Sequence, residues 1–184
     1  MSKNKIEKEV INIKGSKFMY VWMLLATLGF LIGCCILIIN GLKFDSSYSL
    51  LYLGGGIIFT PFYLYITLWS LPGFIPGKIL LTIIRGENGS IKSKKGKVNI
   101  KNIRNIDLVR NPFNLINDIV IETFDNRFIK IRTYNLINDL AYQMMVDQYI
   151  YPYMTENSRK VWDRKVDLVR LKEVARYERA EQNL

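Results

Sequence analysis

The 184-residue chain has no histidine and only two cysteines, adjacent at Cys34 and Cys35. Without histidine there can be no Ser-His-Asp triad and no His-ligated metal centre. A neighbouring cysteine pair supplies no disulfide framework. Acidic residues are also few, 16 against 26 Lys and Arg, which leaves a net charge of +10. Charged residues are an ordinary 23% of the chain, but they are missing altogether from two stretches, and those gaps carry the first information.

No charge occurs from Phe18 to Leu42. As a helix this run measures roughly 37 Å at 1.5 Å per residue, more than the about 30 Å of a hydrocarbon core. After Lys43-Phe44-Asp45 a second uncharged stretch runs from Ser46 to Gly77, with an apolar body from about Tyr48 to Leu71. The sequence therefore predicts a transmembrane helical hairpin over 18–77, with spans of about 18–42 and 47–71. The first run is too long for a cleaved signal peptide, lacks a small-residue cleavage site behind it and meets a second span almost at once. Basic residues set the orientation. Lys3, Lys5, Lys8, Lys14 and Lys17 precede the first span, Lys43 alone occupies the connector, and the other 20 follow the second span. Positive charge stays inside, so the expected location is the cell membrane, multi-pass, with both termini cytoplasmic. Tyr20, Trp22 and Trp69 fall where interfacial aromatic anchors belong.

Within the hairpin, Gly29 and Gly33 form a GxxxG step, and Gly54, Gly55 and Gly56 open the second span. Small residues let helices approach closely where lipid offers no hydrophobic drive. These five are expected to pack the two helices together or to mediate self-association. Thr60-Pro61 predicts a kink in the second span, since proline removes a backbone donor. Neither span holds an ionisable Asp, Glu, Lys, Arg or His, so no proton relay or ion path is visible. Cys34 and Cys35 read as small apolar filler.

Leu71-Pro72-Gly73-Phe74-Ile75-Pro76-Gly77 breaks the second helix. The hydrophobic period then shortens. Strands are predicted over Lys78–Arg85, Ser90–Lys94, Val98–Ile100, Ile103–Arg110, Asp118–Phe124 and Arg127–Arg132, with turns at Gly86-Glu87-Asn88-Gly89, Lys95-Gly96 and Asp125-Asn126. Ile119 and Ile121 can share a buried face with Ile129 and Ile131, as in a half-buried antiparallel hairpin. Glu9 to Lys14 alternates as an additional edge strand would. An amphipathic helix follows with Ile137, Leu140, Ala141 and Met144 at helical spacing, ended by Tyr151-Pro152. The organisation is thus an N-terminal segment at 1–17, the hairpin at 18–77, a cytoplasmic α+β domain at 78–154 and a charged helical tail at 155–184. The tail is expected to be one helix from about Asn157 to Glu181. Its apolar strip of Val161, Trp162, Val166, Leu168, Val169, Leu171 and Ala175 can dock on the domain, the inner leaflet or a partner.

The order hairpin, short strands, VNIKNIRNIDLV (Val98–Val109), DIVIETFDNRFIKIRT (Asp118–Thr133) and helix resembles the bacterial pleckstrin-homology-like membrane proteins. Ile100, Ile103 and Ile106 match the Ile-x-x-Ile-x-x-Ile spacing of that pattern, over a resemblance covering about Phe18 to Tyr153. Length, Asn/Ile/Lys-rich composition and tail also look like a small uncharacterised two-span family of Bacillus-type bacteria. The resemblance implies a small antiparallel β domain of pleckstrin-homology-like fold with a C-terminal helix. It transfers no catalytic residues, and such a fold serves lipid binding, peptide binding or scaffolding alike.

From Lys78 to Arg132 there are 12 basic and 5 acidic residues. Lys92, Lys94, Lys95, Lys97, Lys101 and Arg104 form the expected lipid-facing basic patch, worth about 1 kcal/mol per basic residue near an anionic surface. Without interleaved aromatics or a reader motif, nucleic acid is not an expected partner. The function expected is a membrane-anchored, non-enzymatic adaptor or scaffold. Its partners would be the bilayer, an anionic phospholipid, and a protein or second copy of the chain, with no cofactor or metal. An accessory subunit of a larger membrane complex is the alternative. A membrane-surface enzyme is weaker: Asp107, Asp118, Asp125 and Asp139 each suit a turn, cap or strand exterior, and a pocket gathering two or more carboxylates or lysines would be needed to support it.

Overall fold

The computed structural model describes residues 9–86 and 88–179. Lys3, Lys5, Lys8, Glu87 and Glu181, used in the sequence reading, lie outside them. Strand β1 (Val10–Lys14) comes first, and its burial alternates as an edge strand's does. Ser16 follows, and helix α1 (Lys17–Leu24) continues through one π-helical turn, Leu25–Gly29, into α2 (Phe30–Leu42). The connector 43–48 leads to α3 (Ser49–Ser70), which runs unbroken across Pro61 and closes in a 3₁₀ turn at Leu71–Phe74. Lys17–Leu42 and Ser49–Phe74 are each 26 residues, long and apolar enough to cross a membrane.

Helix–helix contact within this hairpin does not use the glycines that the sequence singled out, with one exception. A Cβ on Gly29, Gly33, Gly54 or Gly55 would meet nothing within 4 Å. One on Gly56 would stand 2.5 Å from Ile38 Cγ1 and 3.0 Å from the Cys34 carbonyl oxygen, and one on Gly41 would stand 2.6 Å from the Leu53 backbone nitrogen. Close approach thus runs through Gly41 and Gly56, where backbone meets backbone. Cys34 is buried in that contact and Cys35 faces outward. Thr27 and Thr60 donate back to the carbonyls of Met23 and Gly56, so their hydroxyls find partners inside their own helices.

After the hairpin come β2 (Ile79–Ile84), β3 (Ser90–Ser93), β4 (Gly96–Asn99), a 3₁₀ turn at Ile100–Asn102, β5 (Ile103–Arg110), β6 (Asn117–Thr123) and β7 (Phe128–Arg132). They form two antiparallel sheets in the orders β1-β2-β3-β4 and β5-β6-β7. Because β1 precedes the helical hairpin yet pairs with β2 behind it, Val10 opposite Ile84 and Ile13 opposite Leu81, the hairpin is an insertion in a strand-to-strand connection. The register of β6 and β7 sets Ile119 opposite Ile131 and Ile121 opposite Ile129, as the alternation predicts. Ile100, Ile103 and Ile106 are all buried between the sheets with Ile83, Ile91 and Ile119.

Helix α4 (Asp139–Tyr149), capped by the Asn138 side chain, packs on this core. The tail departs from the single helix expected at 157–181. Thr155 caps α5 (Glu156–Asp163), Arg164–Asp167 interrupt it, and Asp167 caps α6 (Leu168–Ala175), which ends at the left-handed Arg176. Of the three destinations open to its apolar strip, the tail takes the domain. Trp162 is 4% exposed and meets Tyr142 edge-to-face, Leu171 is fully buried, and the Ser158 hydroxyl donates to the Ile103 carbonyl at 2.5 Å. A single carboxylate pins the wrap: Asp147, whose side chain has no exposure, accepts from Trp162 Nε1 (3.0 Å), Tyr177 Oη (2.9 Å) and Arg179 Nε (3.0 Å).

Candidate functional site

The strands alternate in direction, so the end of β1, the start of β2, the β3–β4 turn, the β5–β6 loop and the end of β7 collect at one end of the domain. That end faces the hairpin. Ser16 N–H donates to the Leu136 carbonyl, Tyr20 Oη donates to the Phe74 carbonyl at 2.6 Å, and a Cβ on Gly73 would strike Tyr134. Only a glycine lets the chain leaving α3 press so closely on the domain.

Between the two sheets at this end opens a cleft of about 400 Å3. Lys78 enters it from just before β2, Lys94 and Lys95 from the β3–β4 turn, and Lys130 and Arg132 from β7; Asp118 contributes the acid from β6. Two of the cations are held by aromatic faces. The Lys78 ammonium lies 3.9 Å over the Tyr134 ring and donates to the Pro72 carbonyl, and the Arg132 guanidinium lies 4.7 Å over Trp69 at the end of α3. Cation–π contact steadies a cation without neutralising it. Burial, then the neighbouring Lys94 charge, lowers the Lys78 pKa. Asp118 does not resolve this excess. Its Oδ1 has no hydrogen-bond partner among the described residues, and Arg132 Nε stands 3.9 Å off. Burial raises the Asp118 pKa even though Arg132, Lys130 and Lys95 pull it down. A pocket with five cationic side chains and a single acid carries an excess of positive charge, which suits a compact anion, phosphate above all.

The predicted patch is therefore divided. Lys94 and Lys95 line the cleft, while Lys92 and Lys97 face each other one step along β3 and β4. Lys101 and Arg104 belong to the opposite end of the domain, where Arg104 pairs with Glu122 at 3.3 Å. Lys78, Lys130 and Arg132 were missed, because a patch read from consecutive residues cannot include charges that two sheets bring together. The four candidate acids are likewise dispersed. Asp107 pairs with Lys165 at 2.6 Å, Asp125 accepts from Asn102, Asp139 accepts from Gln143, and only Asp118 reaches the cleft. Among the described residues no three His, Cys, Asp or Glu side chains gather as a metal site would need. A smaller cleft of about 330 Å3, mostly apolar, lies at the hairpin base between Lys17, Tyr20, Val21, Ile75 and Leu136.

A family of unknown function, DUF5381, matches residues 9–172. The chain belongs to that family. It is 31% identical over 160 residues to the uncharacterized lipoprotein YfjD of Bacillus subtilis (strain 168), covering 84% of this chain and 86% of the relative. It is also 31% identical over 128 residues to the uncharacterized protein YfjE of the same organism, covering 67% of this chain and 84% of that relative. No solved structure matches. The family match begins at β1 and ends within α6, so it takes in strand, helical hairpin, both sheets and most of the docked tail.

Proposed function

We propose that this protein is a two-span, non-enzymatic membrane anchor whose sheet domain binds anionic lipid headgroups at the inner leaflet through the basic cleft. The observation that carries the reading is the placement of five cations in one cleft at the end of the domain that grips the helix hairpin. The hairpin itself supports the membrane half. Only 17% and 11% of the most apolar stretches of its two helices are buried, so Phe18, Trp22, Phe30, Ile39, Leu50 and Ile58 face outward. Outward apolar surface on that scale calls for lipid rather than water. The pleckstrin-homology-like part of the reading draws support from the two antiparallel sheets followed by α4.

The lipoprotein name of one relative also supports membrane association. A lipoprotein leader is cut before a cysteine, and in this chain Cys34 follows the small residue Gly33. Cleavage there would remove β1 from its pairing with β2 and would strip α3 of its helical partner. The first helix is therefore a retained span in this reading, and intact mass of the purified protein tests it: the full chain supports retention, loss of residues 1–33 contradicts it.

The binding experiment compares phospholipid retained by the purified chain from mixed micelles of phosphatidylglycerol and phosphatidylcholine. The wild type should keep the anionic lipid, and each of Lys94→Gln, Lys95→Gln and Lys130→Gln should weaken retention roughly fivefold, as about 1 kcal/mol per basic residue implies. Equal retention by the triple variant would defeat the proposal. A membrane-surface enzyme is the second reading, since the cleft meets the requirement set for it by gathering Lys78, Lys94, Lys95 and Lys130 around Asp118. Asp118→Asn separates the two: binding survives or tightens in an anchor, whereas turnover of a phosphate ester would be lost in an enzyme.

A further inference from the structure

The loop joining β5 to β6 belongs to the same end of the domain, since Asn111 lines the basic cleft beside Lys78 and Arg132. At its tip Phe113 is 84% exposed, the most exposed large apolar side chain among the described residues. An aromatic ring at a loop tip would ordinarily fold back onto the core to leave water. This one is held out. Asn111 Oδ1 accepts from the Phe113 backbone N–H at 2.9 Å, and the Leu115 N–H returns to the Asn111 carbonyl at 2.9 Å. Buried Asn114 caps Ile116, and Leu115 adopts a left-handed conformation at φ 56°. Asn135 ties the loop from outside by donating to the Leu115 carbonyl at 3.0 Å and accepting from Asn117 N–H at 2.7 Å. Several hydrogen bonds and a residue in the left-handed region thus fix the shape of a six-residue loop, 111–116, that leaves the Phe113 ring in solvent.

We infer that Phe113 is a membrane wedge: the loop presents its ring to the same leaflet into which the helices pass. The inference rests on the anchored topology proposed above, but not on the anion preference of the cleft. The bilayer is the occupant chosen for two reasons. The loop shares its end of the domain with Trp69, the interfacial aromatic at the end of α3 that Arg132 covers. Its immediate flank is also cationic, with exposed Arg110 before it and Lys94 and Lys95 across the cleft, the combination that draws a loop to an anionic surface and seats an aromatic within it. Phe124 and Phe128, exposed at the far end, have Arg127 and Arg104 near them but lie at the end away from Trp69 and the hairpin. With the hairpin as one fixed point, the wedge is a second, and the two restrict how the domain can tilt on the leaflet.

The test attaches an environment-sensitive nitrobenzoxadiazole probe to Phe113→Cys, in a background with Cys34→Ala and Cys35→Ala, after reconstitution of the full chain into nanodiscs. Phe128→Cys is the aqueous reference. The expected result is blue-shifted emission at 113, quenched by lipids brominated near the top of the acyl chain, and unshifted emission at 128. Probe emission at 113 matching that at 128 would overturn the wedge, even if phosphatidylglycerol is still retained. Blue shift at both positions would overturn it as well, because the contact would not be specific to the hairpin end. A blue shift that depends on adding a soluble extract, and is missing in lipid alone, would mark a protein contact and equally contradict the proposal. Both substitutions are at exposed positions, so neither removes a core contact.

Discussion

The helical hairpin and the sheet domain solve packing in opposite ways. Two apolar helices meet through Gly41 and Gly56, with the Thr27 and Thr60 hydroxyls bonded within their own turns, the buried Thr67 and Ser70 hydroxyls without a partner among the described residues, and most apolar side chains turned outward. The domain gathers isoleucines from six strands and Val98 from β4, and then locks its surface with polar devices: a buried carboxylate, three side-chain helix caps and charges steadied on rings. With the hairpin in lipid, as proposed, the difference follows from solvent. Where the surroundings are apolar, burial of side chains gains little and backbone approach decides the contact. Where the surroundings are water, apolar burial drives assembly and each buried polar group must find a partner.

The contrast can be broken most severely at Asp147. Replacement by Ala leaves Trp162 Nε1 and the Tyr177 hydroxyl without their acceptor and Arg179 with Asp163 alone, and loss of one partner of a buried pair costs about 3–5 kcal/mol. Thermal unfolding of the detergent-solubilised chain should shift down accordingly, with α5 and α6 exchanging amide protons early while the hairpin is unchanged. A next-largest effect belongs to the helices. Gly41→Leu or Gly56→Leu forces the helices apart, on the order of 1–3 kcal/mol for an overpacked contact, whereas Gly29→Leu projects into open space and should leave the hairpin unaltered. Disulfide trapping between cysteines placed on α2 and α3 reads the separation; equal trapping in all three variants would show that Gly41 and Gly56 are not the contact.

The smallest expected effect sharpens the account of the cleft. Burial raises the Asp118 pKa, so the folded protein binds its proton more tightly than the unfolded chain does. Linkage then makes stability fall as pH rises from about 4 through the raised value, with the loss complete above it. Asp118→Asn should abolish that part of the pH dependence and be at least as stable as wild type near neutrality. A profile unchanged by the substitution would show that Asp118 ionises as freely folded as unfolded.

Much of this architecture was legible because period-2 alternation is local. The pair β6 and β7 announces itself through Ile119, Ile121, Ile129 and Ile131 around Asp125-Asn126, and Asn126 takes the left-handed conformation that the turn needs. The π turn at Leu25–Gly29 and the interruption at Arg164–Asp167 left no such mark. An apolar helix reads the same through a π turn, and the strip from Val161 to Ala175 keeps helical spacing across a gap that Asp167 turns into a new cap. Gly29, Gly33, Gly54 and Gly55 stay out of the contact between the two helices for a physical reason. GxxxG reports a small face, but which face meets the partner depends on where two helices cross, and here Gly41 and Gly56 lie at that crossing. The cleft needed β2, β3, β6 and β7 brought to one end, which no linear window contains.

The most direct test of the central claim is where a lipid headgroup touches the domain. Phosphatidylglycerol carrying a photoactivatable headgroup, crosslinked in nanodiscs to the full chain and mapped by peptide mass, should label segments around Lys78, Ser93–Lys97 and Lys130–Tyr134. Label confined to Lys101, Arg104 and the tail, or spread evenly over all exposed lysines, would contradict it.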